Sequence, residues 1–213
     1  WSPDSKKIMW SDRAQNLFYV DVDSKMVTKV DYDSVAEFND YTWSTDSKWI
    51  AYGKAEMQNK GRIYLYNLAS KNSTPVTDGW YSAYQPSFSD DGKYLYFVSD
   101  RDFSPTFSNA DFSTAYLDMA RVYFIPLSKD TPSPFMEKSD EQKISSTPDA
   151  SSSANSSSGK KDKNKKDSTT AKASSDIKVD LDGIVDRVIS LPVSPSGYFG
   201  ITAVGNKVFY MVH

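Results

Sequence analysis

The chain has 213 residues, 14% of them aromatic, and a formal net charge of −3, which is not the basic surplus of a nucleic-acid binder. It has no Cys, which removes disulfides, thiolate metal sites and Cys nucleophiles, and its one His is the last residue, His213, so a Ser-His-Asp triad has no well-placed base. No run of about 18 apolar residues occurs, so no membrane-spanning helix is expected.

An internal repeat runs along the chain. Trp1-Ser2-Pro3-Asp4-Ser5-Lys6-Lys7-Ile8 recurs as Trp43-Ser44-Thr45-Asp46-Ser47-Lys48-Trp49-Ile50 and as Phe88-Ser89-Asp90-Asp91-Gly92-Lys93-Tyr94-Leu95. A weaker copy is Val193-Ser194-Pro195-Ser196-Gly197-Tyr198. In each, a large apolar residue ends one strand, Ser, Pro, Asp and Gly supply a turn, and an alternating strand follows. About ten residues on comes a second apolar strand rich in β-branched and aromatic residues. Its copies are Leu17–Val22, Arg62–Leu68, Arg121–Leu127 and Lys207–Val212. Short strands close the first two units at Val27–Val30 and Thr74–Thr77.

Four short strands per 42 to 45 residues is the period of a propeller blade. The expected fold is therefore all-β: a partial β-propeller of about three and a half four-stranded blades with a disordered insertion. Residues 1–136 hold a truncated first blade, a second at about 40–83 and a third from about 84. Residues 177–213 hold the end of the third blade and part of the next. The chain is expected to start after the innermost strand of one blade and to end at the third strand of another. Propellers close with four to eight blades, so a larger parent is expected.

The low-complexity insertion covers residues 137–176. Its core is a Ser-rich run, 151–159, followed by a Lys-rich run, 160–167. Apart from alanines it has one apolar side chain, Ile144, and its eight Lys nearly balance seven acids. Such a segment cannot bury enough surface to offset chain entropy. It reads as a solvated spacer in preference to a docking site for an anionic partner. After it, Ile184–Leu191 alternates apolar and polar residues and is expected to be the fourth strand of the third blade.

A shorter excursion, 99–120, carries Asp100, Arg101, Asp102, Asp111 and Asp118. The carboxylates lack the spacing of a calcium loop. Turn capping and pairing with Arg are the expected roles. An acid/base set built from Asp100, Asp102 and Asp118 has no His, Cys or metal motif to support it. No catalytic, cofactor-binding or metal-binding residue is assigned.

The repeats as a group resemble the propellers of periplasmic translocation proteins and of prolyl-oligopeptidase-type peptidases. Two stretches are more specific: Arg121-Val122-Tyr123-Phe124-Ile125-Pro126-Leu127-Ser128-Lys129-Asp130-Thr131-Pro132-Ser133-Pro134-Phe135, and Asp180-Leu181-Asp182-Gly183-Ile184-Val185-Asp186-Arg187-Val188-Ile189-Ser190-Leu191-Pro192-Val193. With the loop from Ser99 to Met119 they are similar to the second, seven-bladed propeller of tricorn proteases. The resemblance covers nearly the whole chain outside 137–176.

It implies a propeller that does no catalysis and passes peptide substrates toward a downstream PDZ-like module and serine peptidase core, in a homo-oligomeric parent. The compartment it implies is the cytoplasm, with the periplasm left open. No catalytic residue of the family falls on a position here, and His213 lies on a blade strand ahead of the core. The innermost strands, around Tyr41, Trp43 and Gln85, would line the passage. Asp100, Arg101, Asp102 and Arg187 would make loop contacts. The competing reading is an interaction propeller of a non-enzymatic scaffold or envelope complex.

Overall fold

In the computed structural model of the chain, all residues are described except 57–59, 103–105, 108–113, 116, 136–175 and 206. The insertion expected at 137–176 lies outside the described residues save for Asp176. One compact unit comprises Trp1–Ser133 and Ser174–His213. It contains all the sheets.

The first sheet is β1 (Lys7–Ser11), β2 (Asn16–Asp21) and β3 (Val27–Tyr32), in that order. The second is β4 (Tyr41–Trp43), β5 (Trp49–Glu56), β6 (Lys60–Asn67) and β7 (Asn72–Pro75), a four-stranded antiparallel meander. The third comprises β8 (Ala83–Phe88), β9 (Tyr94–Ser99), β12 (Arg121–Pro126) and β13 (Ile189–Ser190). A two-residue hairpin, β10 (Thr106–Phe107) with β11 (Thr114–Ala115), lies in the loop between β9 and β12. The last sheet pairs β14 (Tyr198–Val204) with β15 (Lys207–Val212).

The repeated turn has one geometry in its first three copies. The Ser hydroxyl donates to the Asp two residues on: Ser2 to Asp4 and Ser44 to Asp46 at 2.5 Å, and Ser89 to Asp91 at 2.7 Å. The same Ser Oγ accepts the backbone N–H of Lys7, Trp49 and Tyr94, each at 2.9 Å. The residue three after each Ser takes left-handed φ, at Ser5 (60°), Ser47 (59°) and Gly92 (68°). This local device reverses the chain between the first two strands of a blade and leaves few polar groups unsatisfied.

The cores are the junctions between sheets. Leu17, Tyr19 and Val30 of the first sheet pack on Trp43, Ile50, Tyr52 and Tyr66 of the second. The opposite face of that second sheet packs Trp49, Ala51, Ile63 and Leu65 on Phe88, Leu95, Phe97, Tyr123 and Ile125 of the third. Val98 and Val122 then pack on Tyr198 and Ile201 of the last sheet. A sheet covered on both faces has no polar side, which is why Trp49–Tyr52 is apolar without a break. The two terminal sheets are covered on one face only. In β15, Val208 and Tyr210 turn to the core while Phe209 and Met211 are exposed.

Two strand-level expectations change. Ile184–Leu191 is not one strand: Ile184–Arg187 is a 3₁₀ turn, and only Ile189 and Ser190 pair with β12. Gly183, at φ 64°, starts the turn and interrupts the extended run. The stretch around Ser194 is not a fourth copy of the turn either. It lacks the Asp, Leu191 N–H bonds Val122 O, and Ser196 N–H bonds Ala120 O, so it runs along the third sheet. β14 therefore packs beside β8 in the position of an inner strand, and β15 is a second strand and not a third.

Candidate functional site

β4, β8 and β14 are each the edge strand of their own sheet, and they converge. Asn39, Asp40, Tyr41, Gln85, Pro86, Gly200 and Ile201 line one open cleft of about 210 Å³. Tyr41 and Gln85, singled out from the sequence, are brought together here. Asn39, Asp40, Gly200 and Ile201 were not singled out. Asp40 had a usable signal, because it stands 45 residues before Gln85, one repeat length.

The cleft wall is held by bonds between sheets. Gln85 N–H donates to Asp40 Oδ2 at 3.2 Å, and Gly200 N–H donates to Gln85 Oε1 at 2.8 Å. Gln85 and Gly200 both take left-handed φ, 54° and 65°. At both, the register of the inner strand slips against its neighbour, between Tyr84 and Ser87 and between Phe199 and Thr202. Such a bulge turns one amide out of the ladder. In each case a side chain of the preceding sheet takes it up.

Trp43 is at the far end of β4, buried between the first two sheets and edge-on to Tyr19 with ring centroids 6.1 Å apart. Its Nε1 is buried without a hydrogen-bond partner. A second cleft, about 350 Å³, lies beside it and is lined by Trp1, Pro3, Met9, Tyr41, Thr42 and Trp43.

Asp100, Arg101 and Asp102 form a separate group where β9 leaves the third sheet. Asp100 accepts the Tyr84 hydroxyl at 3.1 Å, and burial raises its pKa, partly offset by that bond. The Arg101 guanidinium pairs with Asp78 at 3.1 Å and stacks between the rings of Tyr81 and Tyr123 at 5.7 and 5.8 Å. Asp102 accepts the Tyr123 hydroxyl at 2.8 Å and pairs with Arg121 at 2.8 Å. All three side chains are thus tied to the blades. Among the described residues no group of three His, Cys, Asp or Glu side chains is placed to hold a metal ion.

Arg187 is apart from both groups. It donates to the carbonyls of Leu127 and Asp180. These belong to a neck where the chain leaves and re-enters the third sheet around 136–175. Asp180 N–H bonds Leu127 O, and Asp180 Oδ2 accepts from Ser128 Oγ and Lys129 N–H, each at 2.9 Å. Further along, Ile177 N–H bonds Asp46 Oδ2 at 2.9 Å, which straps this limb to the second sheet's turn. The two stretches that carry the family resemblance therefore meet in space.

Successive antiparallel sheets, stacked face to face with their first strands around one cleft, are blades of a β-propeller. The chain matches, over residues 1–213, the family described as tricorn protease second beta propeller domain, and it belongs to that family. It is 30% identical over 212 residues to a tricorn-like protease C-terminal subunit of Sulfurisphaera tokodaii, covering 98% of this chain and 21% of that protein. To tricorn protease homolog 1 of Streptomyces coelicolor it is 24% identical over 212 residues, covering 100% of this chain and 18% of the other. A crystal structure of the tricorn protease superposes with a TM-score of 0.71 over 97% of this chain and 18% of that one, at 19% identity, which shows the shared fold. The chain thus spans about a fifth of the length of these relatives. Among the described residues no helix is long and apolar enough to cross a membrane.

Proposed function

We propose that these blades are the non-catalytic part of a tricorn-like serine peptidase and that they gate or channel peptide substrates, in transit, toward an active centre elsewhere in a longer protein. The observation that carries this is the cleft itself. Three successive inner strands put Asp40, Tyr41, Gln85 and Gly200 around one opening, where extended peptide can meet side-chain and edge-strand polar groups. A passage of this kind acts by size and orientation, and bond cleavage takes place at the peptidase core. On the same reading the longer protein carries a PDZ-like module and that core downstream, forms a homo-oligomer and works in the cytoplasm.

A direct test is a thiol label placed on the cleft. Asn39, exposed there, is replaced by Cys in a full-length protein whose Cys residues outside these blades, where present, are first changed to Ser, and the product is labelled with a bulky maleimide. Hydrolysis of long unstructured peptides should fall at least tenfold, while tri- and tetrapeptides are cleaved within twofold of the unlabelled rate. Equal effects on long and short substrates, or none on either, would remove the gating role. The blades would then be read as an interaction surface.

A further inference from the structure

We propose that Gln85 is the positioning residue of the inner rim, tying three consecutive blades at one level and thereby fixing the width of the cleft through which peptides pass. This rests on the channel reading above. Gln85 is the described residue that both gives and receives in this series of ties: its N–H reaches back to Asp40, and its Oε1 accepts Gly200 N–H from the blade ahead.

The backbone underlines the point. A non-glycine residue at φ 54° is uncommon, and the residue before a proline is disfavoured there as well. Blade 4 meets the same bulge with Gly200. Blade 3 instead keeps a long side chain at a position where glycine is the easier choice. What the side chain provides is the acceptor for the next blade's turned-out amide. Gly200 cannot pass the series on, and a Cβ there would meet Met211 Cε at 2.5 Å. The rim is therefore stitched through Gln85 and ends, in this form, at blade 4.

The glycine of blade 4 also supplies the clean variant. Gln85→Gly removes the acceptor and relieves the backbone, so it tests the tie with little risk to folding. Gln85→Glu keeps an acceptor of the same reach. In the full-length protein, Gln85→Gly should change the ratio of kcat/KM for long over short peptides at least fivefold, mainly through KM for the long peptide. Gln85→Glu should return the ratio to within twofold of the parent. Hydrogen exchange at the Gly200 amide should quicken at least tenfold in Gln85→Gly and recover in Gln85→Glu.

Unchanged selectivity in Gln85→Gly, or equal change in both variants, overturns the proposal. Unchanged Gly200 exchange overturns it as well. If the Asn39 adduct blocks long peptides while Gln85→Gly behaves as the parent, the positioning role fails and the channel stands. If the adduct has no effect, the channel itself has failed.

Discussion

The repeated turn makes a prediction with its own internal control. Ser2, Ser44 and Ser89 are buried, and each hydroxyl holds one backbone N–H at 2.9 Å and donates to one Asp. Changing any of them to Ala leaves the N–H of Lys7, Trp49 or Tyr94 without that acceptor, in a site that is buried at Trp49 and part-buried at Lys7 and Tyr94. A buried donor left unsatisfied costs about 1–3 kcal/mol. The Asp keeps a second bond, from the N–H of Lys6, Lys48 or Lys93, so the cost stays near the middle of that range. About 2 kcal/mol corresponds to roughly a 30-fold larger opening constant for the affected turn. Ser194 is the comparison. It looks like its counterparts in the sequence, yet it is exposed, and among the described residues its carbonyl, not its hydroxyl, is engaged, by the Tyr198 hydroxyl. Ser194→Ala should change nothing measurable. The assay is amide hydrogen exchange on each of the four variants, read at Lys7, Trp49, Tyr94 and Tyr198, with denaturant midpoints alongside. Equal effects at all four serines, or effects below about 0.5 kcal/mol at the first three, would refute the bonding account.

Four further outcomes follow from other residues. Asp100 has a raised pKa in the folded chain because burial disfavours its charge, so its contribution to stability is present below the ordinary aspartate value and is lost as pH rises through the folded value. Asp100→Asn keeps an acceptor for the Tyr84 hydroxyl and should stabilise the fold at pH 7, with the gain vanishing below about pH 4; thermal melts across pH check both signs. Gly92→Ser restores the residue found at Ser5 and Ser47, but a Cβ there meets Ile177 Cγ1 at 2.6 Å, so it should destabilise by about 1–3 kcal/mol by denaturant titration. Replacing 137–175 by a short Gly/Ser linker should leave the melting temperature within about 2 °C of the parent, because the neck is bonded through Ser128, Lys129, Asp180 and Arg187. Adding Arg187→Ala to that form should speed limited proteolysis at the neck, and equal proteolysis with and without Arg187 would remove its clamping role.

What was legible in the sequence was local. Ser-x-Asp followed by Ser or Gly specifies its turn within six residues, so three copies could be read directly. The fourth copy misled because Ser-Pro-Ser-Gly offers the same residue types without the carboxylate that makes the bonds. That error moved β14 one strand outward. Ile184–Leu191 alternates as a strand does, but Gly183 in the left-handed region and the carbonyls held by Arg187 turn the first half into a 3₁₀ coil. At the cleft, Tyr41 and Gln85 were readable because they sit on inner strands next to repeat turns. Asp40 and Gly200 act through bonds 45 and 115 residues long in sequence; the repeat length marks the first, and no pattern marks the second.

The polar ties between blades have a direction that the apolar junctions lack. Asp31 accepts from Tyr52 and Lys54, Asp33 from the Ala55 N–H, Asp40 from Gln85, Asp78 from Arg101 and Asp90 from Gly205. In every one of these the acid stands on the earlier blade and the donor on the later. Asp4, whose N–H donates forward to Ser47 Oγ, and Lys48, which pairs with the later Asp176 on the chain surface, run the other way. Buried Leu, Ile and Tyr faces attract one another with little regard for order, so sheet-on-sheet packing alone would tolerate blades sliding or exchanging places. An acid such as Asp33, buried and holding three backbone amides, does not. With any other neighbour its Oδ2 would lose the Ala55 N–H while Val35 and Ala36 still bond Oδ1, which leaves one buried carboxylate oxygen unmet at a cost of about 1–3 kcal/mol. The apolar surfaces therefore supply the association and the acids supply the order: Asp33 and Asp78, one repeat apart, each accept from the next blade.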